Sequence, residues 1–181
     1  MKKSLLTFLS LFFLLTAFTC EDESLDTEII NNSIIDSSAQ SVFSAEIDGE
    51  TFNTNNVVAV KYILSSNPMA NSRLDIFATK IAGVNFETVS LVILEPAIGS
   101  FELGGDNNLN FGSYGNNYDV YLSESDDLDD EVMGTVTITE IDEVNNKVSG
   151  NFQFTAINFD GDEVQLTNGN FSNISYTIDE L

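Results

Sequence analysis

The chain has no histidine, one cysteine and only six lysine or arginine residues among 181. Without histidine it lacks the commonest general base, the commonest transition-metal ligand and every serine or cysteine triad that relies on imidazole. With one cysteine no internal disulfide can form, so a domain must be held by burial alone. At this size a single domain buries roughly 70% of its unfolded surface, which is enough. Two of the six basic residues, Lys2 and Lys3, lie in the first twenty residues, so the remainder carries 4 basic against 29 acidic residues, a formal charge of 4 − 29 = −25. Such a field repels nucleic acid and anionic membranes and favours solubility. No Gly-rich phosphate loop precedes a helix, so nucleotide binding has no support, and no internal repeat is evident.

What is present starts with an export segment. Lys2 and Lys3 form a positive n-region, and Leu5 to Phe18 is an apolar run too short to span a bilayer comfortably. Cys20 follows where a signal would be cut, with Glu21, Asp22 and Glu23 directly behind it. This resembles a bacterial lipoprotein signal (1–19) whose cysteine is acylated and becomes the new N-terminus. Ala17-Phe18-Thr19 departs from the usual Leu-Ala/Ser-Gly/Ala pattern. Plain secretory cleavage is the alternative, and it would leave Cys20 without a role. The acidic run after the cysteine resembles the signal that sends Bacteroidota-type lipoproteins to the outer face of the outer membrane. Residues 20–41 read as an acidic tether, although Ile29, Ile30, Ile34 and Ile35 could share one face of a brief helix.

A single domain is expected over 42–181. Its clearest stretch is Gly134 to Phe171, where apolar and polar residues alternate with the period of half-buried antiparallel strands. If Val136 and Ile138 share a face with Phe152 and Phe154, opposed residue numbers must have an even sum. That predicts a three-residue loop Val144-Asn145-Asn146, with Asn146 left-handed and Glu143 opposite Lys147. The same parity sets Ala156 against Val164 and Phe154 against Leu166, closed by Phe159-Asp160-Gly161 with Gly161 left-handed. Upstream, Phe43 to Ile47 runs into an Asp48-Gly49 hairpin turn and Thr51-Phe52. Val57 to Leu64 is a strand, and Ser65 to Ser72, containing Pro68, a loop. Leu74 to Lys80 and Val89 to Leu94 follow, the second apolar on both alternate sets as for a strand covered on both faces. Ser100 to Leu103 is a short strand, Gly104 to Asn117 a Gly/Asn-rich loop, Tyr118 to Ser123 a strand and Glu124 to Glu131 an acidic loop. The expected fold is all-β, an antiparallel sandwich or flattened barrel of about 8–10 strands.

Phe43-Ser44-Ala45-Glu46-Ile47-Asp48-Gly49, Gly134 to Thr139, Gly150 to Ala156 and Val164 to Phe171 together resemble a family of small lipid-anchored β proteins of unknown function, over roughly residues 42 to 178. The resemblance implies a fold and an address in the outer membrane, surface exposure included, and supplies no catalytic residue.

Three constellations could carry chemistry. Asp126, Asp127, Asp129, Asp130 and Glu131 offer closely spaced oxygens suited to calcium, against the simpler reading of a solvated loop. Asn158, Asp160, Gly161 and Asp162 hold part of a calcium-loop pattern, but EF-hand spacing would put Ala156 and Thr167 at ligand positions, so a hairpin turn explains them better. Tyr114, Tyr118 and Tyr121, with Asn110, Asn116, Asn117 and Asp119, supply rings that stack on pyranose faces and polar groups that pair with hydroxyls. Their bland rival is that tyrosine favours strands and asparagine favours turns. A carboxylate pair for glycoside hydrolysis needs no histidine, but sequence cannot select two acids from 29. The expected function is therefore a non-catalytic, lipid-anchored binding or surface component, monomeric, without cofactor unless calcium binds. Its expected partners are a glycan or a protein and no nucleic acid. A glycan-binding accessory module comes second and a carboxylate-dependent hydrolase third. The discriminating observation is whether a concave pocket gathers both tyrosines and carboxylates.

Overall fold

The computed structural model describes residues 41–65, 70–105, 108–124 and 131–181. The chain divides between Asp36 and Ser37, and every described strand belongs to the second unit, Ser37–Leu181. The signal 1–19, Cys20 and all of the tether but Ser41 lie outside the described residues, as do Asp126, Asp127, Asp129 and Asp130. Ser41 is already tied to the domain, its hydroxyl donating to the Asn173 carbonyl at 2.9 Å.

Eleven strands form, and no helix appears among the described residues. They are β1 (Val42–Ile47), β2 (Glu50–Thr54), β3 (Val57–Ile63), β4 (Ser72–Ala82), β5 (Asn85–Leu94), β6 (Gly99–Leu103), β7 (Phe111–Asn116), β8 (Val120–Leu122), β9 (Gly134–Asp142), β10 (Lys147–Ile157) and β11 (Glu163–Glu180). Pairing runs from β11 through β3, β4, β5, β7 and β8 to β10, and β10 pairs back onto β11. The ladder thus returns to its start as a flattened barrel, with β1–β2 attached to β11 and β9–β6 to β10. One residue pair, Ile157 with Leu122, closes the seam between β8 and β10. All pairings are antiparallel except β11 with β3.

The second predicted turn is as expected: Ala156 faces Val164, Phe154 faces Leu166, and Gly161 has φ +86°. The first differs. Phe152 does face Val136, and Asn146 is left-handed at φ +52°, but Lys147 faces Asp142 rather than Glu143. The turn holds one residue more than predicted, and an irregularity in register between Ser149 and Gly150 leaves Thr139 without a partner and restores the parity. Asp142 explains the longer turn, because its carboxylate accepts the N–H groups of Val144 and Asn145, both at 3.0 Å. The Asn145 side-chain amide, donating to Asp142 Oδ2 at 2.7 Å, and after it those backbone bonds hold the Asp142 carboxyl below the usual carboxylate range.

Gly104 to Asn117 is not all loop, since β7 lies within it. Gly112 is buried in that strand, where a Cβ would meet the Phe154 ring at 2.6 Å. Glycine there admits an aromatic neighbour rather than making a turn. Ser72 likewise begins β4 instead of closing the preceding loop. The strand count exceeds the expected 8–10 partly for this reason. Inside, Phe152 is the hub of the packing, its ring centroid 5.1 Å from Phe43, 6.0 Å from Phe154 and 6.5 Å from Phe171.

Candidate binding site at one end of the barrel

Four hairpin ends meet at one end of the domain, each placed by local chemistry. Asp48 (φ +49°) and Gly49 (φ +84°) make the two-residue β1–β2 turn whose doubly positive φ suits the strand twist. Gly83 (φ +66°) turns β4 into β5. Between β7 and β8 the Asn116 Oδ1 accepts the N–H groups of Tyr118 (2.9 Å) and Asp119 (3.0 Å). Between β10 and β11 the Asn158 Oδ1 accepts those of Asp160 (3.0 Å) and Asp162 (2.8 Å), which is the hairpin reading of that stretch.

Two adjoining clefts open among these ends. The inner one, about 350 Å³, is walled by Tyr114, Tyr121, Phe52 and Val164 and rimmed by Asp48, Glu50, Glu87 and Lys80. The outer one, about 440 Å³, lies between Phe86 and Tyr118 with Asn85, Asn116 and Asn117. Lys80, Glu87 and Asn116 belong to both. A concave region therefore gathers tyrosines and carboxylates, and its size is that of an ordinary small-ligand site.

The tyrosines divide between the two clefts. Tyr114 and Tyr121 face each other across β7 and β8 with rings 5.8 Å apart, and both are buried. Tyr118 is 88% exposed on the turn. Asn117 pins that turn to the β4–β5 hairpin, its Oδ1 accepting the Phe86 N–H at 2.8 Å and its Nδ2 donating to Asn85 Oδ1 at 2.8 Å. Asn110 is elsewhere, holding the Leu94 N–H at 2.7 Å. Sequence reading missed Asn85, Phe86, Lys80 and Glu87. The register of one hairpin would have found them, because Gly83 as a turn sets Ala82 against Asn85 and Lys80 against Glu87.

Lys80 works as a strap. Its ammonium lies 3.1 Å from Glu87 Oε2, donates to the Thr51 carbonyl at 3.1 Å and sits over the Phe52 ring at 5.8 Å, tying β4 and β5 to β2. Opposite, the Tyr114 hydroxyl donates to Glu87 Oε1 at 2.9 Å. Burial first, then the bond to Glu87 and its charge, push the Tyr114 phenol up to about 12, the Asn116 amide opposing. The folded pKa lies above the unfolded value, so the stabilisation is complete below about pH 10 and lost as pH rises through about 12. Alkaline titration followed by phenolate absorbance should show a phenol ionising near pH 12 that disappears in Tyr114→Phe, while the raised phenols of Tyr121 and Tyr176 remain. Identical titration curves for the two proteins would refute the assignment.

Among the described residues no group of three histidine, cysteine, aspartate or glutamate side chains could hold a metal ion. Of the five candidate calcium ligands Asp126, Asp127, Asp129, Asp130 and Glu131 only Glu131 is described, and it is exposed.

The fold and clefts define an all-β domain with a small-ligand-sized concavity at one end. A family model for a domain of unknown function, DUF6252, matches residues 39–175, so the chain belongs to the DUF6252 family. No curated protein and no solved structure matches it.

Proposed function

We propose that this is a lipid-anchored protein on the outer face of the outer membrane that works by binding, and that its ligand is a glycan held at the outer cleft. One observation carries the glycan reading: the exposed rings of Tyr118 and Phe86 flank the side-chain amides of Asn85, Asn116 and Asn117 in a single concavity. Rings offer apolar faces to the C–H side of a sugar, and Asn85 and Asn116 retain amide N–H donors for its hydroxyls. A binding role rather than hydrolysis is supported by Glu87. It is the least exposed of the three cleft carboxylates, and it is occupied by the Tyr114 hydroxyl and by Lys80.

The full-length protein in mild detergent, applied to a glycan array, should retain a defined set of neutral oligosaccharides. Tyr118→Ala should weaken that retention about tenfold, the loss of roughly 1.4 kcal/mol of ring contact. An array without hits would remove the glycan reading. The anchor is tested separately: Cys20→Ser should move the protein from the membrane fraction to the soluble one. If a fatty-acid label never marks the wild type, the anchor is wrong.

A further inference from the structure

The inner cleft differs chemically from the outer one. Asp48, Glu50 and Glu87 line it against a single cation, Lys80. That ammonium is already committed to Glu87, the Thr51 carbonyl and the Phe52 ring. Asp48 is partly engaged, its Oδ1 accepting the Gln165 N–H at 2.8 Å, whereas Glu50 is exposed.

Tyr121 supplies the second observation. It is only 9% exposed, it lines this cleft, and among the described residues the one hydrogen-bonding group turned to its hydroxyl is the Asn158 side-chain amide. Its phenol is pushed up first by burial and then by the charges of Asp119, Asp162 and Asp48, with the Asn158 amide opposing. A neutral phenol oxygen in negative surroundings is an acceptor for a charged donor. Carboxylates and phosphates would be repelled there, and a hydroxyl would leave the charge unbalanced. A protonated primary amine brings three N–H donors and one positive charge, and the Lys80 ammonium shows that this chemistry is accommodated beside Glu87.

We propose that the inner cleft is an ammonium subsite formed by Tyr121, Glu50 and Glu87, so that the preferred ligand is a glycan bearing a free amine. The clefts share Lys80, Glu87 and Asn116, so a sugar stacked on Tyr118 can extend its neighbour into the inner one. This inference rests on the glycan reading of the outer cleft.

The test uses the full-length protein in detergent, at about 0.15 M salt to screen the general field. Glucosamine oligomers are compared by calorimetry with N-acetylglucosamine oligomers of equal length. The amines should bind at least tenfold more tightly, and Tyr121→Phe combined with Glu50→Gln should abolish that preference without moving the melting temperature. Tyr118→Ala should weaken both series. Equal binding of the two series would overturn the ammonium subsite and leave the glycan reading standing. Spermidine binding one-to-one as tightly as the amino-oligomers would support the subsite and overturn the glycan reading. Binding of neither oligomer would overturn both, and a preference that survives the double variant would overturn the subsite as a mere effect of net charge.

Discussion

Phe152→Ala should lower the free energy of unfolding by about 3–5 kcal/mol, while Gln153→Ala, one residue along, should change it by no more than about 0.5. The asymmetry follows from the pleat, which sends successive side chains to opposite faces. Phe152 is 3% exposed, and its ring touches those of Phe43, Phe154 and Phe171. Removing it deletes the contact between β1 and β10 through the middle of the barrel. Neighbours as stiff as three aromatic rings cannot collapse into the space, so a cavity term adds to the lost transfer energy. Gln153 points out beside Thr135 and is exposed. With a typical domain stability of about 5–15 kcal/mol, the first variant gives up a large fraction and the second almost none. Urea unfolding of the two variants, compared at equal slope, measures the difference. Similar losses at both positions would mean that the facing of β10 is reversed.

The facing of β10 was readable from sequence because the hydrophobic period is a property of the strand itself, visible from Val148 to Ala156. Turn length was less readable. The first hairpin satisfied the predicted parity at Phe152 and Val136 through an unpaired Thr139, a solution invisible to a rule that counts loop residues alone. The same limit applies to β11, where Asn168 and Asn173, both at φ +52°, mark irregularities in a long strand that pairs with β1 and β10 on its two edges and, beyond them, with β3. The site was half readable. Tyrosines and asparagines clustered in one stretch announced the β7–β8 turn. Their partners Phe86 and Lys80 come from a hairpin about thirty residues earlier, and a long-range pairing such as β5 with β7 has no local signature. Gly112 shows the remaining cause: a glycine that makes room for a buried ring looks, in sequence, like a glycine that makes a turn.

Gly150→Ala should destabilise the domain by about 1–3 kcal/mol or more, against the sign that propensity alone would give. Glycine inside a strand normally costs roughly 0.5–1 kcal/mol relative to alanine, so an unobstructed methyl would be a gain. At Gly150 it is obstructed. A Cβ there would lie 2.3 Å from the Thr137 carbonyl oxygen and 2.4 Å from the Phe171 ring tip. The ring could rotate or be shortened, but the carbonyl belongs to β9, in the ladder beside Gly150, and can retreat only if β9 moves away from β10. The clash should therefore outweigh the propensity gain. Phe171→Leu, costly in its own right, separates the two obstacles when placed in the Gly150→Ala background. The double variant should lose less than the sum of the singles, because the ring contact is counted in both, yet the carbonyl contact should keep the alanine unfavourable even beside leucine. Gly161→Ala is the contrasting case. Nothing lies within 4 Å of its Cβ position, and its φ of +86° alone makes alanine unfavourable, so Phe171→Leu should not alter its effect. A Gly150→Ala protein as stable as the wild type would show that β9 and β10 stand further apart at this point than the register requires.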